Sequence, residues 1–92
     1  MKITYDPVKN QRNIDERQLS FDEAINLDWH TAIITPDLRK DYGEPRYITA
    51  ALLEGRLHIL VFTPIVGGIR VISFRKANKR EVNSYEKHYN EL

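Results

Sequence analysis

Hydrophobic positions along this chain alternate, thin out and then crowd together, and each change marks an element. Lys2 to Tyr5 is a short alternating run that predicts a strand. Asp6-Pro7 then opens a helix, because Asp accepts from free N–H groups at an N-cap and proline suits the first helical position. That helix, over 7–17, is polar, with Val8 and Ile14 as its few apolar anchors. Ser20-Phe-Asp-Glu23 reads as a capping box opening a second short helix that ends near Leu27, with Leu19 placed to staple onto Ala24.

From there the spacing becomes strand-like. Ala32 to Thr35 predicts a strand, and Pro36 to Gly43 a polar turn. Arg46 to Leu53 and Leu57 to Thr63 are strands joined by a tight Glu54-Gly55 turn. The second of these is apolar on both faces, so it belongs at the centre of its sheet. Gly67-Gly68 turns the chain into Ile69–Arg75, where Ile69, Val71, Ser73 and Arg75 take one face and Arg70, Ile72 and Phe74 the other unless the strand bulges. Asn78-Lys-Arg-Glu81 is a further capping box, opening a helix that places Val82, Tyr85, Tyr89 and Leu92 on one stripe. Hairpin connections between consecutive strands predict an antiparallel sheet with helices packed on it, an α+β fold in a single domain over residues 1–92.

Composition narrows the chemistry. The chain has no cysteine, which excludes a disulfide frame, a thiolate metal site and a thiol nucleophile. The three histidines lack metal-ligand spacing, Ser73 lacks a GxSxG context, and the Gly67-Gly68 pair is a turn rather than a phosphate loop. No metal and no cofactor is expected. The start of the chain lacks an apolar signal core and no run reaches membrane-spanning length, so a cytoplasmic protein is expected, with no membrane partner.

The net charge of +1 hides an asymmetry: residues 1–44 carry six cations and nine acids, and residues 45–92 carry eight cations and four acids. Five cations, Arg70, Arg75, Lys76, Lys79 and Arg80, fall within eleven residues that contain no acid. On regular structure such a cluster holds phosphates at fixed distances, which points to nucleic acid. Arg75, at a strand end beside a helix N-terminus, suits a phosphate, and equally suits pairing with the acidic helices. Glu44 and Arg46 flank Pro45, where a carboxylate and a guanidinium supply either a base and charge clamp or an ordinary exposed ion pair. Tyr42 and Tyr47 stand near them as possible stacking surfaces. The acidic pair of helices at 7–27 argues against a helix-turn-helix regulator.

Taken in order, Tyr5-Asp-Pro-x-Lys9, Asn13, Ser20-Phe-x-Glu-Ala24, Gly43-Glu-x-Arg-Tyr47, Arg70-x-Ile-Ser-x-Arg-Lys-Ala77, Lys79-Arg-Glu81 and Tyr85 resemble the BrnT family of type II toxins over nearly the whole chain. The resemblance implies a RelE-like α+β fold: an antiparallel sheet of three to five strands, two N-terminal helices and a C-terminal helix. It also implies a growth-arresting endoribonuclease that acts on RNA and inhibits translation. Its partner would be BrnA, a ribbon-helix-helix antitoxin that neutralises the toxin and supplies contact with operator DNA. Family positions fall on Glu44, Arg46, Arg70 and Arg75 as catalytic candidates. Lys76, Lys79, Arg80 and Tyr85 are the RNA-binding candidates. The chain departs from the family pattern at Glu16-Arg17-Gln18, where Lys-His-Gly is common, and at Thr63-Pro-Ile-Val66, where an arginine is common. Two readings follow: a metal-independent endoribonuclease with Glu44 as base, or a non-catalytic, degenerate toxin that binds antitoxin or RNA.

Overall fold

The computed structural model describes residues 1–91; Leu92, assigned from sequence to the stripe of the last helix, lies outside the described residues. The elements are β1 (Lys2–Tyr5), α1 (Pro7–Arg17), two 3-10 segments (Phe21–Asn26 and Trp29–Thr31), β2 (Ile33–Pro36), β3 (Tyr47–Leu53), β4 (Arg56–Ile65), β5 (Gly68–Lys76) and α2 (Lys79–Asn90). One five-stranded sheet has the order β1-β5-β4-β3-β2, with the apolar strand β4 at its centre.

The local signals explain most of these boundaries. Asp6 accepts from the Val8 N–H at 2.9 Å and so caps α1, while Gln18, in the left-handed region at φ 54°, ends it. Glu54 and Gly55 both have positive φ, the backbone a two-residue hairpin between β3 and β4 requires. Asn78 and Glu81 form the full reciprocal capping box at the start of α2.

Four expectations are corrected. The sheet is mixed, because β1 runs parallel to β5. No hairpin fixes the direction of β1, which is more than sixty residues away from its partner in sequence. The approach is so close that a Cβ on Gly68 would stand 1.9 Å from the Lys2 carbonyl oxygen. Second, the segment after Ser20 is a 3-10 turn, not an α-helix: Ser20 accepts from the Asp22 N–H, and no reciprocal bond from Glu23 forms. Third, α1 is not anchored by Val8, which is 67% exposed; its buried residues are Asn10 and Asn13. Asn10 accepts from the Phe21 N–H at 2.7 Å, and the Asn13 amide donates to the carbonyls of Leu19 at 2.9 Å and Phe74 at 3.0 Å. β1 ends opposite Val71, so Asn13 satisfies a carbonyl of β5 beyond the last strand partner.

The fourth correction bears directly on function. Val61 pairs with Ser73 and Phe62 with Val71, leaving Ile72 as an extra residue in β5. Simple alternation fails there. Val71 and Phe74 both point into one core with Phe21, Ala24, Leu60 and Phe62, while Arg70, Ser73 and Arg75 share the opposite face. On that second face α2 lays Val82 and Tyr85 over Leu57, Ile59 and Ala77. Phe74 and Leu60 are almost fully buried, each contributing about 1.5–3 kcal/mol of transfer free energy, so the bulge is held by the core on its far side.

Candidate active site

Three strand ends meet around Glu44. The carboxylate lies just before β3; Thr63 stands near the end of β4, and its strand partner Arg70 near the start of β5. Nη2 of Arg70 donates to Oε1 of Glu44 at 2.8 Å and to Oε2 at 2.6 Å. Nε of Arg46 donates to Oε2 at 3.3 Å, and the Thr63 hydroxyl donates to the same oxygen at 3.0 Å. The Pro45 carbonyl is a second acceptor for the same single hydroxyl proton, which Thr63 shares between Glu44 and the backbone beside it. Four donated bonds to the ionised form, Arg70 first and Thr63 next, hold the Glu44 carboxyl down to about 2 against the opposing effect of burial. Glu44 is therefore a carboxylate at neutral pH. A single nitrogen of Arg70 serves both oxygens, so its Nη1 and Nε donors remain without a protein partner among the described residues.

Arg46 is held from its other side by an aromatic ring. Its guanidinium carbon lies 4.2 Å from the Tyr42 centroid, and Lys40 Nζ lies 5.3 Å from the same ring. The loop carrying Tyr42 is fixed by Asp37, a residue that sequence reading left within a polar turn. Asp37 is buried; it accepts from Arg39 Nε and Nη2, both at 2.8 Å, and its N–H donates to the Arg46 carbonyl at 2.8 Å. The Arg39 guanidinium pulls the Asp37 carboxyl well below the usual carboxylate range. Neither Asp37 nor Thr63 was singled out from sequence. The available signal for Asp37 was Pro36-Asp-x-Arg39, an acid and a base two residues apart in a turn.

Arg75 stands further along the same face. Its Nη1 and Nη2 donate to Oε1 and Oε2 of Glu81 at 2.8 and 2.9 Å, a fork that ties the end of β5 to the first turn of α2. Glu81 also accepts from the Asn78 N–H at 2.9 Å. Arg75 foremost holds the Glu81 carboxyl down to about 2, and Glu81 in turn raises the Arg75 guanidinium above its ordinary value. The helix terminus that sequence reading offered to a phosphate thus already holds a carboxylate. Arg75 stays two-fifths exposed at its side chain, open to a second anion.

Among the remaining candidates, Lys76, Lys79 and Arg80 are exposed around this strand-helix junction. Tyr85 is half-buried, and its hydroxyl donates to the Thr31 carbonyl at 3.0 Å, making it a strut between α2 and the second 3-10 segment. His58 is buried against Phe74, and burial lowers its pKa. Among the described residues no group of three or more His, Asp or Glu side chains stands close enough to hold a metal ion, and no helix is long and apolar enough to cross a membrane.

The arrangement is one carboxylate bridged to two guanidiniums, with Arg75 further along the same face: the strand partners of Arg70 and Arg75, Thr63 and Ile59, are four residues apart in β4, about 13 Å of backbone at about 3.3 Å each. Such a face offers a polyanion cations at two points, with the Glu44 carboxylate at the first of them. A family model described as "Ribonuclease toxin, BrnT, of type II toxin-antitoxin system" matches residues 5–81, from the end of β1 to the first turn of α2. No curated protein and no solved structure matches the chain.

Proposed function

Because the chain belongs to the BrnT family of ribonuclease toxins from type II toxin-antitoxin systems, we propose that it is a metal-independent endoribonuclease acting through Glu44, Arg46, Arg70 and Arg75. The observation that carries this reading is the bulge at Ile72, which sets Arg70, Ser73 and Arg75 on one face with the Glu44 carboxylate at its end. In this chemistry the ribose 2′-hydroxyl attacks the adjacent phosphorus, the 2′ proton leaves to a base, and the P–O5′ bond breaks as the 5′ oxygen takes a proton from solvent water. Arg70 and Arg46 stabilise the charge that develops on the non-bridging oxygens.

Glu44 takes the 2′ proton. Held by Arg70 and Arg46 it is a weak base, and a phosphodiester relieves that weakness. An incoming phosphate competes for the free donors of Arg70 and draws the guanidinium off the carboxylate. The pKa of Glu44 then climbs toward its ordinary value as the substrate binds. Arg75, Lys76, Lys79 and Arg80 hold flanking phosphates, and Arg75 exchanges Glu81 for one of them. The partner is a small ribbon-helix-helix antitoxin that covers this face and carries the contacts to operator DNA.

Induced expression, with and without the antitoxin, followed by growth and RNA-integrity assays, tests the proposal. Arrest and cleavage that persist for the purified protein in EDTA are expected. Cleavage abolished by EDTA would overturn metal independence. A folded protein that causes neither arrest nor cleavage would mean a non-catalytic module that binds antitoxin or RNA.

A further inference from the structure

Beside the candidate site, on the outer edge of β5, a cleft of about 210 Å³ runs between α1 and the bulge. Lys9, Arg12 and Arg17 line its helix side, and Ser73 lies on its strand side. A second depression of about 270 Å³ shares Arg17 and continues to Arg75 and Lys76. Five cations thus border two depressions that meet at Arg17, and no acid lines either of them. The acids of α1, Asp15 and Glu16, line a separate depression on the other flank of the helix, together with Arg12.

Arg17 is prepared for an anion in an uncommon way. Its Nη1 donates at 2.8 Å to the Asn13 amide oxygen, while the Asn13 amide nitrogen is fixed by the Leu19 and Phe74 carbonyls. A neutral amide therefore orients the guanidinium without cancelling its charge, whereas Arg46, Arg70 and Arg75 are each oriented by a carboxylate. Lys9, Arg12 and Lys76 form no ion pair among the described residues. Ser73 connects the two surfaces: it shares the face of Arg70 and Arg75, and its residue borders the cleft.

We propose that this cleft is a second RNA subsite, holding the phosphates of the strand that runs off the catalytic face over Ser73 and along α1. The inference rests on the ribonuclease reading and assigns that activity a substrate long enough to occupy both places. Each unpaired cation that meets a phosphate releases a condensed counterion, so the cleft adds affinity and salt dependence without adding base specificity.

The test is fluorescence anisotropy of a labelled single-stranded RNA of about twelve nucleotides, within the range that single-strand-binding modules span, over a series of salt concentrations. The proteins compared are wild type, the double variant Lys9→Gln/Arg12→Gln, the single variant Arg17→Gln, and Lys87→Ala as a charge-loss control far from the cleft. Lys9 and Arg12 are exposed, so the double variant keeps the fold, which a thermal melt verifies even if Arg17→Gln disturbs Asn13. Loss of two phosphate contacts should reduce the magnitude of the log-log salt slope by about 1.4, at about 0.7 per contact on a single strand, and Lys87→Ala should leave it unchanged. An unchanged slope in the double variant, or an equal loss in Lys87→Ala, overturns the subsite. So does loss of antitoxin neutralisation with RNA binding intact, which would assign the cleft to the protein partner. If wild type neither binds nor cleaves RNA, the ribonuclease reading itself falls, a result distinct from failure of the subsite alone.

Discussion

Nη2 of Arg70 sits between the two carboxylate oxygens of Glu44, 2.8 Å from one and 2.6 Å from the other. Twenty-six residues separate the pair in sequence, and the alignment of β3, β4 and β5, with Thr63 of β4 between them, brings them together. The pair leaves most of the Arg70 guanidinium available while keeping Glu44 ionised. On the proposed mechanism the pair is a closed clasp, to be opened by a phosphate from the arginine side.

Kinetics over a pH series should register that opening. In free protein Glu44 is held to about 2, so kcat/KM should stay flat on its acid side down to about pH 4. Once RNA draws Arg70 away, Glu44 moves up toward its ordinary range. The acid limb of kcat should then lie at higher pH than that of kcat/KM. Glu44→Gln should lower kcat by about 100-fold or more, the usual scale for losing a general base, measured at a temperature where the variant is still folded. Coincident acid limbs for both parameters would contradict the clasp.

Acid stability follows from the same groups. Glu44 and Glu81 both have folded pKa values near 2 against an ordinary value of 4.5. A depressed carboxyl contributes its stability in full above the unfolded pKa and loses it as pH falls through the folded one. Melting temperature should therefore decline from about pH 5 toward pH 2, and Glu44→Gln/Glu81→Gln should flatten that decline. Melts of both proteins over this range, by circular dichroism, decide the matter; parallel curves would show that other carboxyls dominate.

Arg75 and Glu81 can be separated by paired substitutions. Each is part of a partly exposed ion pair, so Arg75→Ala should cost no more than about 1 kcal/mol of stability. Glu81→Gln removes the same pair but leaves Arg75 free for phosphate. Toxicity and RNA affinity should fall in Arg75→Ala and be kept or raised in Glu81→Gln. Equal functional loss in both variants, matching their loss of melting temperature, would make the pair a structural tie alone.

Asn13 carries the anchoring of α1. Its amide reaches two backbone carbonyls and the Arg17 guanidinium from a position 4% exposed. Asn13→Leu leaves those carbonyls without their donor at a nearly buried position, at a cost of about 2 kcal/mol. For a domain of this size that lowers the melting temperature by about 10 °C. A shift of only one or two degrees would mean that α1 is held chiefly by other contacts.

Elements whose signals are local were legible in the sequence. Asp6-Pro7, Glu54-Gly55 and the Asn78–Glu81 box each fix a boundary through bonds spanning a few residues. The run from Leu57 to Phe62 announced its own central position in the sheet. What escaped depends on distant partners. The direction of β1 is set by its fit against Gly68. The bulge at Ile72 arises because Val71 and Phe74 both find room in one core, which period-two alternation forbids. Polar anchors were missed for a related reason: Asn10 and Asn13 look solvent-facing until the carbonyls and N–H they satisfy are known. In the candidate site, the types and positions of Glu44, Arg46, Arg70 and Arg75 were readable, but their partners Thr63 and Glu81 and the loop-setting Asp37 were not.

The antitoxin should leave its footprint on the same face. To silence the toxin it must cover Arg46, Arg70 and Arg75 or bar RNA from them, and the exposed cations Lys76, Lys79 and Arg80 offer an acidic or extended segment something to grip. Apolar side chains of Ile48, Leu52 and Val82 lie half-buried on this side of the sheet, so the contact mixes charge with hydrophobic burial. Long-range attraction between opposite charges governs encounter and is screened by salt, whereas apolar burial in the formed complex is not. Raised salt should therefore slow association more than it speeds dissociation. Hydrogen exchange with and without antitoxin should protect residues 37–49 and β5, where backbone amides lie next to the clasp. Protection confined to residues 7–27, with the sheet unchanged, would place the antitoxin on α1 and the 3-10 segment and require neutralisation without cover of Glu44.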